Sequence, residues 1–109
     1  MCTSLYASMP GTINEVHFST LSYINSGIFA RTEIMTADFP NCKSIGTNAF
    51  ASCKYLTTVS FPECEYINQS AFYSCSIIRT MSFPKVSYIG YGAFLNCTQL
   101  ESLYFMNPS

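Results

Sequence analysis

Residues 39–60 read FPNCKSIGTNAFASCKYLTTVS, residues 61–82 read FPECEYINQSAFYSCSIIRTMS and residues 83–104 read FPKVSYIGYGAFLNCTQLESLY. One 22-residue unit is thus written three times without a break. A period in this range belongs to solenoids, in which each unit buries its apolar face only by stacking on the next. A single coil cannot fold alone: its few large apolar side chains gain about 10 kcal/mol on burial, against roughly 20 kcal/mol or more to order the backbone. The array is therefore the folding unit.

The unit extends backwards. Ile13, Val16 and Phe18 repeat as Ile34, Ala37, Phe39, as Leu56, Val59, Phe61, as Ile78, Met81, Phe83 and as Leu100, Leu103, Phe105. In each trio the last two apolar residues flank a polar one, the period-two pattern of a strand. This reading predicts five short parallel strands near 13–18, 34–39, 56–61, 78–83 and 100–105, in an array over 13–109 preceded by an irregular segment or partial cap at 1–12. The coil that begins at Phe18 is one residue short, and the deletion falls between Glu33 and Ile34. A loop absorbs such a loss readily.

The other columns carry further expectations. Pro40, Pro62 and Pro84 follow the Phe that closes a strand, and Pro cannot donate to a ladder. Asn25, Gly46, Asn68 and Gly90 predict a sharp corner at positive φ. Ile28-Phe29, Ala49-Phe50, Ala71-Phe72 and Ala93-Phe94 place a small residue beside a large ring, with Asn48 and Ser70 in front as caps, which predicts one helical or 3-10 turn on the back of each coil. Tyr23, Ser44, Tyr66 and Tyr88 form a column read chiefly as packing along the coil edge.

At 109 residues the chain suffices for one domain. Its five Lys/Arg and six Asp/Glu give no basic footprint for nucleic acid. No apolar run reaches the roughly 18 residues of a membrane span, so no membrane insertion is expected, and MCTSLYASMPG does not read as a signal peptide. Cys42, Cys53, Cys64, Cys75 and Cys97 lie on an 11-residue grid with Val86 at the vacant point. Their side chains run parallel in a stack, which favours buried free thiols over disulfides. No CxxC spacing suggests zinc, and no cofactor is expected. His17 with a cysteine is the one conceivable nucleophilic pair, but the repeat columns account for every gridded cysteine; the chain reads as no enzyme.

LTTVSFPEC, Leu56 to Cys64, fits the pattern LxxLxLxx followed by Asn or Cys. With Ile-Gly, Ala-Phe and a Cys three residues after that Phe, the unit resembles the BspA-like leucine-rich repeats. The resemblance implies an α/β solenoid, a right-handed leucine-rich repeat, used for adhesion or protein binding at an extracellular or cell-surface location. Its partner would be a protein or cell-surface ligand. Two columns of the strands face solvent by alternation: Glu15, Thr36, Thr58, Thr80, Ser102 and His17, Asp38, Ser60, Ser82, Tyr104. From these, Glu15, His17, Asp38, Thr58, Ser60, Thr80, Ser82 and Tyr104 are the candidate partner-binding residues. Only MNPS follows Phe105, and an open apolar end invites stacking. The alternative reading is therefore a structural subunit of a surface array or virion, self-associating through its carboxyl-terminal coil.

Overall fold

The computed structural model describes residues 14–105. The readings of 1–12 as a cap, of Ile13 as a strand residue and of 106–109 as an uncapped end lie outside them. Nine strands run in chain order: β1 (Glu15–His17), β2 (Tyr23–Ile24), β3 (Thr36–Asp38), β4 (Ser44–Ile45), β5 (Thr58–Ser60), β6 (Tyr66–Ile67), β7 (Thr80–Phe83), β8 (Tyr88–Ile89) and β9 (Ser102–Phe105). The odd-numbered strands stack on the front of the coils, and the two-residue even-numbered strands form a second, four-stranded parallel sheet in the order β2-β4-β6-β8. In-register pairing sets Val16 beside Ala37, and Ala37 beside Val59.

The core follows from this stacking. Phe18, Phe39, Phe61 and Phe83 make one run of stacked rings, with Phe39 and Phe61 at 5.3 Å and 7° between planes. Phe29, Phe50, Phe72 and Phe94 make a second, in which Phe50 and Phe72 are 5.2 Å apart and 2° from parallel. The two runs meet edge-on, as at Phe61 and Phe72, 6.2 Å and 76°. Both offset-stacked and edge-to-face geometries suit the aromatic quadrupole. Ile24, Ile45, Ile67 and the Ile34, Leu56, Ile78 column fill the remaining interior.

The fold is an all-β solenoid, and the helical or 3-10 turns expected on the back are absent among the described residues. Consecutive four-residue turns replace them. In the second coil Ala49 N donates to Gly46 O, Ala51 N to Asn48 O and Cys53 N to Phe50 O, while the alternate amides of Asn48, Phe50 and Ser52 donate to Gln69, Ala71 and Tyr73 of the following coil. A helix would need every donor for itself; here every second one is spent on a neighbour. The third position of the first and last turn is left-handed, occupied by Gly27, Asn48, Ser70 and Gly92 and by Arg31, Ser52, Ser74 and Asn96. Positive φ at that position is the mark of a type II turn and stops any helix from propagating. Asn48 and Ser70 are thus turn residues and not caps.

The positive-φ corner expected at Asn25, Gly46, Asn68 and Gly90 is displaced two residues onward, to Gly27, Asn48, Ser70 and Gly92. The Asn/Gly column has another cause. A Cβ on Gly46 would lie 2.5 Å from Ile24 O, and one on Gly90 2.5 Å from Gln69 N, so backbone meets backbone on those rungs. Asn68, between them, spends its side-chain amide on Ile45 O at 2.8 Å.

The cysteines are more than small apolar fillers. Cys53, Cys75 and Cys97 donate Sγ–H to Phe29 O, Phe50 O and Phe72 O of the preceding coil at 3.1, 3.2 and 3.1 Å. Thr32 heads the same column and satisfies the same need within its own coil, Oγ1 donating to Phe29 O at 2.7 Å. Cys42, Cys53, Cys64, Cys75 and Cys97 are all free thiols. Burial raises their pKa, to about 11 for Cys42 and about 12 for Cys64, so the reactive thiolate is suppressed.

One seam interrupts the front. β1, β3 and β5 form one sheet and β7 with β9 another, with no ladder between β5 and β7. The turns before β5 and β9 close through Leu56 N to Cys53 O and Leu100 N to Cys97 O. Before β7 the equivalent stretch, Ser76-Ile77-Ile78, has no such bond. The second central position of that turn holds β-branched Ile77 where the turns that close hold Tyr55 and Gln99.

Candidate functional site

The strand register assembles the candidate residues into two columns on the front. Glu15 pairs with Thr36 and Thr36 with Thr58, and His17 pairs with Asp38 and Asp38 with Ser60. Beyond the seam Thr80 pairs with Ser102, and Ser82 with Tyr104. Glu15, His17, Thr58, Ser60, Thr80, Ser82 and Tyr104 are exposed, and Asp38 is half-buried. Alternation explains the arrangement: Val16, Ala37 and Met81 between them point into the core.

At one end of this face the columns make a polar cluster. His17 Nδ1 lies 3.1 Å from Asp38 Oδ2, and His17 Nε2 lies 3.2 Å from Glu15 Oε1. Bonds to Asp38 and then to Glu15 favour the imidazolium and raise the His17 pKa above its ordinary 6.5. The two carboxylates engage opposite ring nitrogens and do not converge on one point. No group of three His, Cys, Asp or Glu among the described residues is arranged to hold a metal ion.

A raised folded-state pKa contributes stability that is present below the unfolded value and fades as pH rises through the folded one. A proton NMR titration of His17 is expected to give a midpoint above 6.5. Asp38→Asn should lower that midpoint more than Glu15→Gln, and a midpoint unmoved by either would contradict the cluster.

The remaining sides are built differently. Tyr23, Tyr66 and Tyr88 project from the second sheet and stand 55%, 46% and 53% exposed, so that column covers far less of the core than the sequence suggests. Lys43 with Glu65, Arg79 with Glu101 and Lys85 with Glu63 make ion pairs between adjacent coils. A cleft of about 370 Å³ lies at the shortened coil, lined by Arg31, Thr32, Glu33, Ser52, Lys54 and Tyr55. Sequence reading located the deletion behind this cleft but assigned none of its residues a role. No helix of the described residues is long and apolar enough to cross a membrane.

The architecture has close parallels. A leucine-rich repeat protein from Bacteroides capillosus is similar at a TM-score of 0.75 and 26% identity, over 93% of this chain and 81% of that one. A leucine rich cell surface protein from Faecalibacterium prausnitzii shares the fold at a TM-score of 0.56 and 19% identity, over 90% of this chain and 33% of that one. Comparison with curated proteins gives no match. The profile of the BspA type leucine rich repeat region matches residues 8–108 in six copies. A stack of parallel rungs, a core of repeated Phe columns and a match along nearly the whole sequence lead to one conclusion: the chain belongs to the BspA-type leucine-rich repeat family.

Proposed function

We propose that the chain is a non-catalytic binding or adhesion module that meets a protein or cell-surface ligand through its front strand face, outside the cell. The observation that carries this reading is the register: it lines Glu15, His17, Asp38, Thr58 and Ser60 along two neighbouring columns of one sheet and Thr80, Ser82 and Tyr104 along two columns of the next. Leucine-rich-repeat solenoids generally work as protein-binding scaffolds, and the Faecalibacterium relative is described as a cell surface protein. The face offers hydroxyls for hydrogen bonding and a charged cluster for orientation, with Tyr104 as its one large anchor.

The test is binding of the full chain to surfaces coated with fibrinogen, laminin or collagen. Saturable binding to at least one coat is expected. The double variant Ser60→Arg/Ser82→Arg should weaken it by about tenfold or more, as bulky charge does at an interface centre, while Gln69→Arg on the back should not. Front variants that bind like the parent, or no saturable binding to any coat, would overturn the proposal.

One observation favours the assembly subunit as a second reading. Ile89 and Phe105 are 41% and 39% exposed, whereas Ile45, Ile67, Phe61 and Phe83 at the same positions in the interior are at most 1%. A further coil of the same repeat, from a second copy, would cover them as the interior coils cover one another. A chain that remains monomeric at high concentration removes this reading.

A further inference from the structure

The charged residues divide unevenly. All five Lys/Arg and all six Asp/Glu fall within the described residues. Lys43, Arg79 and Lys85 are paired with Glu65, Glu101 and Glu63 at 3.7, 3.1 and 2.9 Å, and Glu15 and Asp38 are held by His17. Three charges are left without an ionic partner among the described residues: Arg31, Glu33 and Lys54. All three line the one cleft at the shortened coil.

The cleft itself comes from the missing residue. The second coil turns through Lys54 and Tyr55, closed by Leu56 N to Cys53 O, whereas the first coil passes directly from Thr32 through Glu33 to Ile34. The Lys54-Tyr55 turn therefore has no counterpart in the first coil, and the cleft lies at that step. Tyr55 stands 54% exposed at its lip. It also borders a smaller hollow of about 190 Å³ with Asn14, Glu33 and Met35. Arg31 and Ser52, both at positive φ, also line the cleft.

This combination selects a chemistry. Two cations facing one gap attract an acid group, and guanidinium and ammonium donors bind carboxylates by charge-assisted hydrogen bonds. Glu33, in the same lining, repels a bare anion but accepts hydrogen bonds from hydroxyls. Tyr55, with Met35 beside it, offers a flat apolar surface on which a ring can lie. A volume of about 370 Å³ suits one small cyclic molecule. We propose that this cleft binds an acidic sugar residue, its carboxylate held by Arg31 and Lys54, its hydroxyls by Glu33 and Ser52, and its ring laid against Tyr55. The site is separate from the front face, and either can fail without the other.

Titration of the full chain with sodium glucuronate at low ionic strength, followed by amide NMR shifts, tests this. Saturable shifts are expected at Arg31, Thr32, Ser52, Lys54 and Tyr55, with a Kd on the order of 1 mM. Lys54→Gln and Arg31→Gln should each weaken binding about fivefold or more, and Tyr55→Ala should weaken glucuronate as well. Lys43→Gln, which touches only an inter-coil pair, should bind like the parent. Absence of saturable shifts overturns the proposal. So does an equal response to glucose, which would remove the acid group from recognition, or to inorganic sulfate, which would remove the sugar.

Discussion

Phe61→Ala is expected to cost about 3–5 kcal/mol of unfolding free energy, the range for emptying a buried aromatic site. Phe61 is 1% exposed and touches four other rings: Phe39 at 5.3 Å, Phe50 at 6.0 Å, Phe72 at 6.2 Å and Phe83 at 6.0 Å. It lies in the middle of the stack, where it joins the two ring columns through Phe50 and Phe72, as Phe39 and Phe83 do on the neighbouring rungs. The surrounding coils are held in register by ladders on the other sides, so the space cannot collapse without breaking hydrogen bonds. Small domains have about 5–15 kcal/mol in total, so the variant should unfold at markedly lower urea. A shift worth less than about 1 kcal/mol would show that the rings merely fill space that other groups can take up.

Gly46→Ala is expected to cost about 3 kcal/mol, the upper end for overpacking. The atoms that an added Cβ would meet are all backbone: Ile24 O at 2.5 Å, Asn25 C at 2.8 Å and Ser26 N at 2.8 Å. Backbone cannot swing aside, and separating the two coils would stretch the bond from Gly46 N to Ile24 O, now 2.8 Å. Gly27 makes the contrasting case. It has φ +65 and nothing within 4 Å of an added Cβ, and Asn48 already occupies the same column. Gly27→Asn should therefore change stability by only about 0.5 kcal/mol. Equal losses in the two variants would mean that conformation, and not close approach, is what selects glycine in this protein.

The parts of the fold legible in the sequence are those that stacking forces to be repeated. Every interior coil gives a residue such as Ile45 or Phe50 the same surroundings as Ile67 or Phe72, so selection writes the same residue at the same interval. The back of the coil is not legible in the sequence because its decisive bonds run between coils. Nothing in NAFASC distinguishes a helical turn from linked type II turns until Phe50 N is seen to donate to Ala71 O. The strands β2, β4, β6 and β8 have two residues each, too few for a period-two pattern to register. At the candidate front face, alternation identifies which side chains point outward, and repeat arithmetic brings Asp38 beside His17. The charged cleft escaped because its residues come from a departure from the repeat, where column reasoning has nothing to compare.

The seam between β5 and β7 gives the stack a mechanical character. The second sheet runs unbroken through β6 and β8, and the back turns are bonded from Ser70 N to Tyr91 O and from Phe72 N to Ala93 O. Only the front lacks the matching tie. A column bonded along its sides and back but parted along its front is compliant in one direction: tension on the strand face would open the seam, with the continuous sheet as hinge and the Phe61–Phe83 ring contact, at 6.0 Å, spanning it. Load applied to a ligand held across both halves of that face would be spread over a deformation before it reached the hydrogen-bonded rungs.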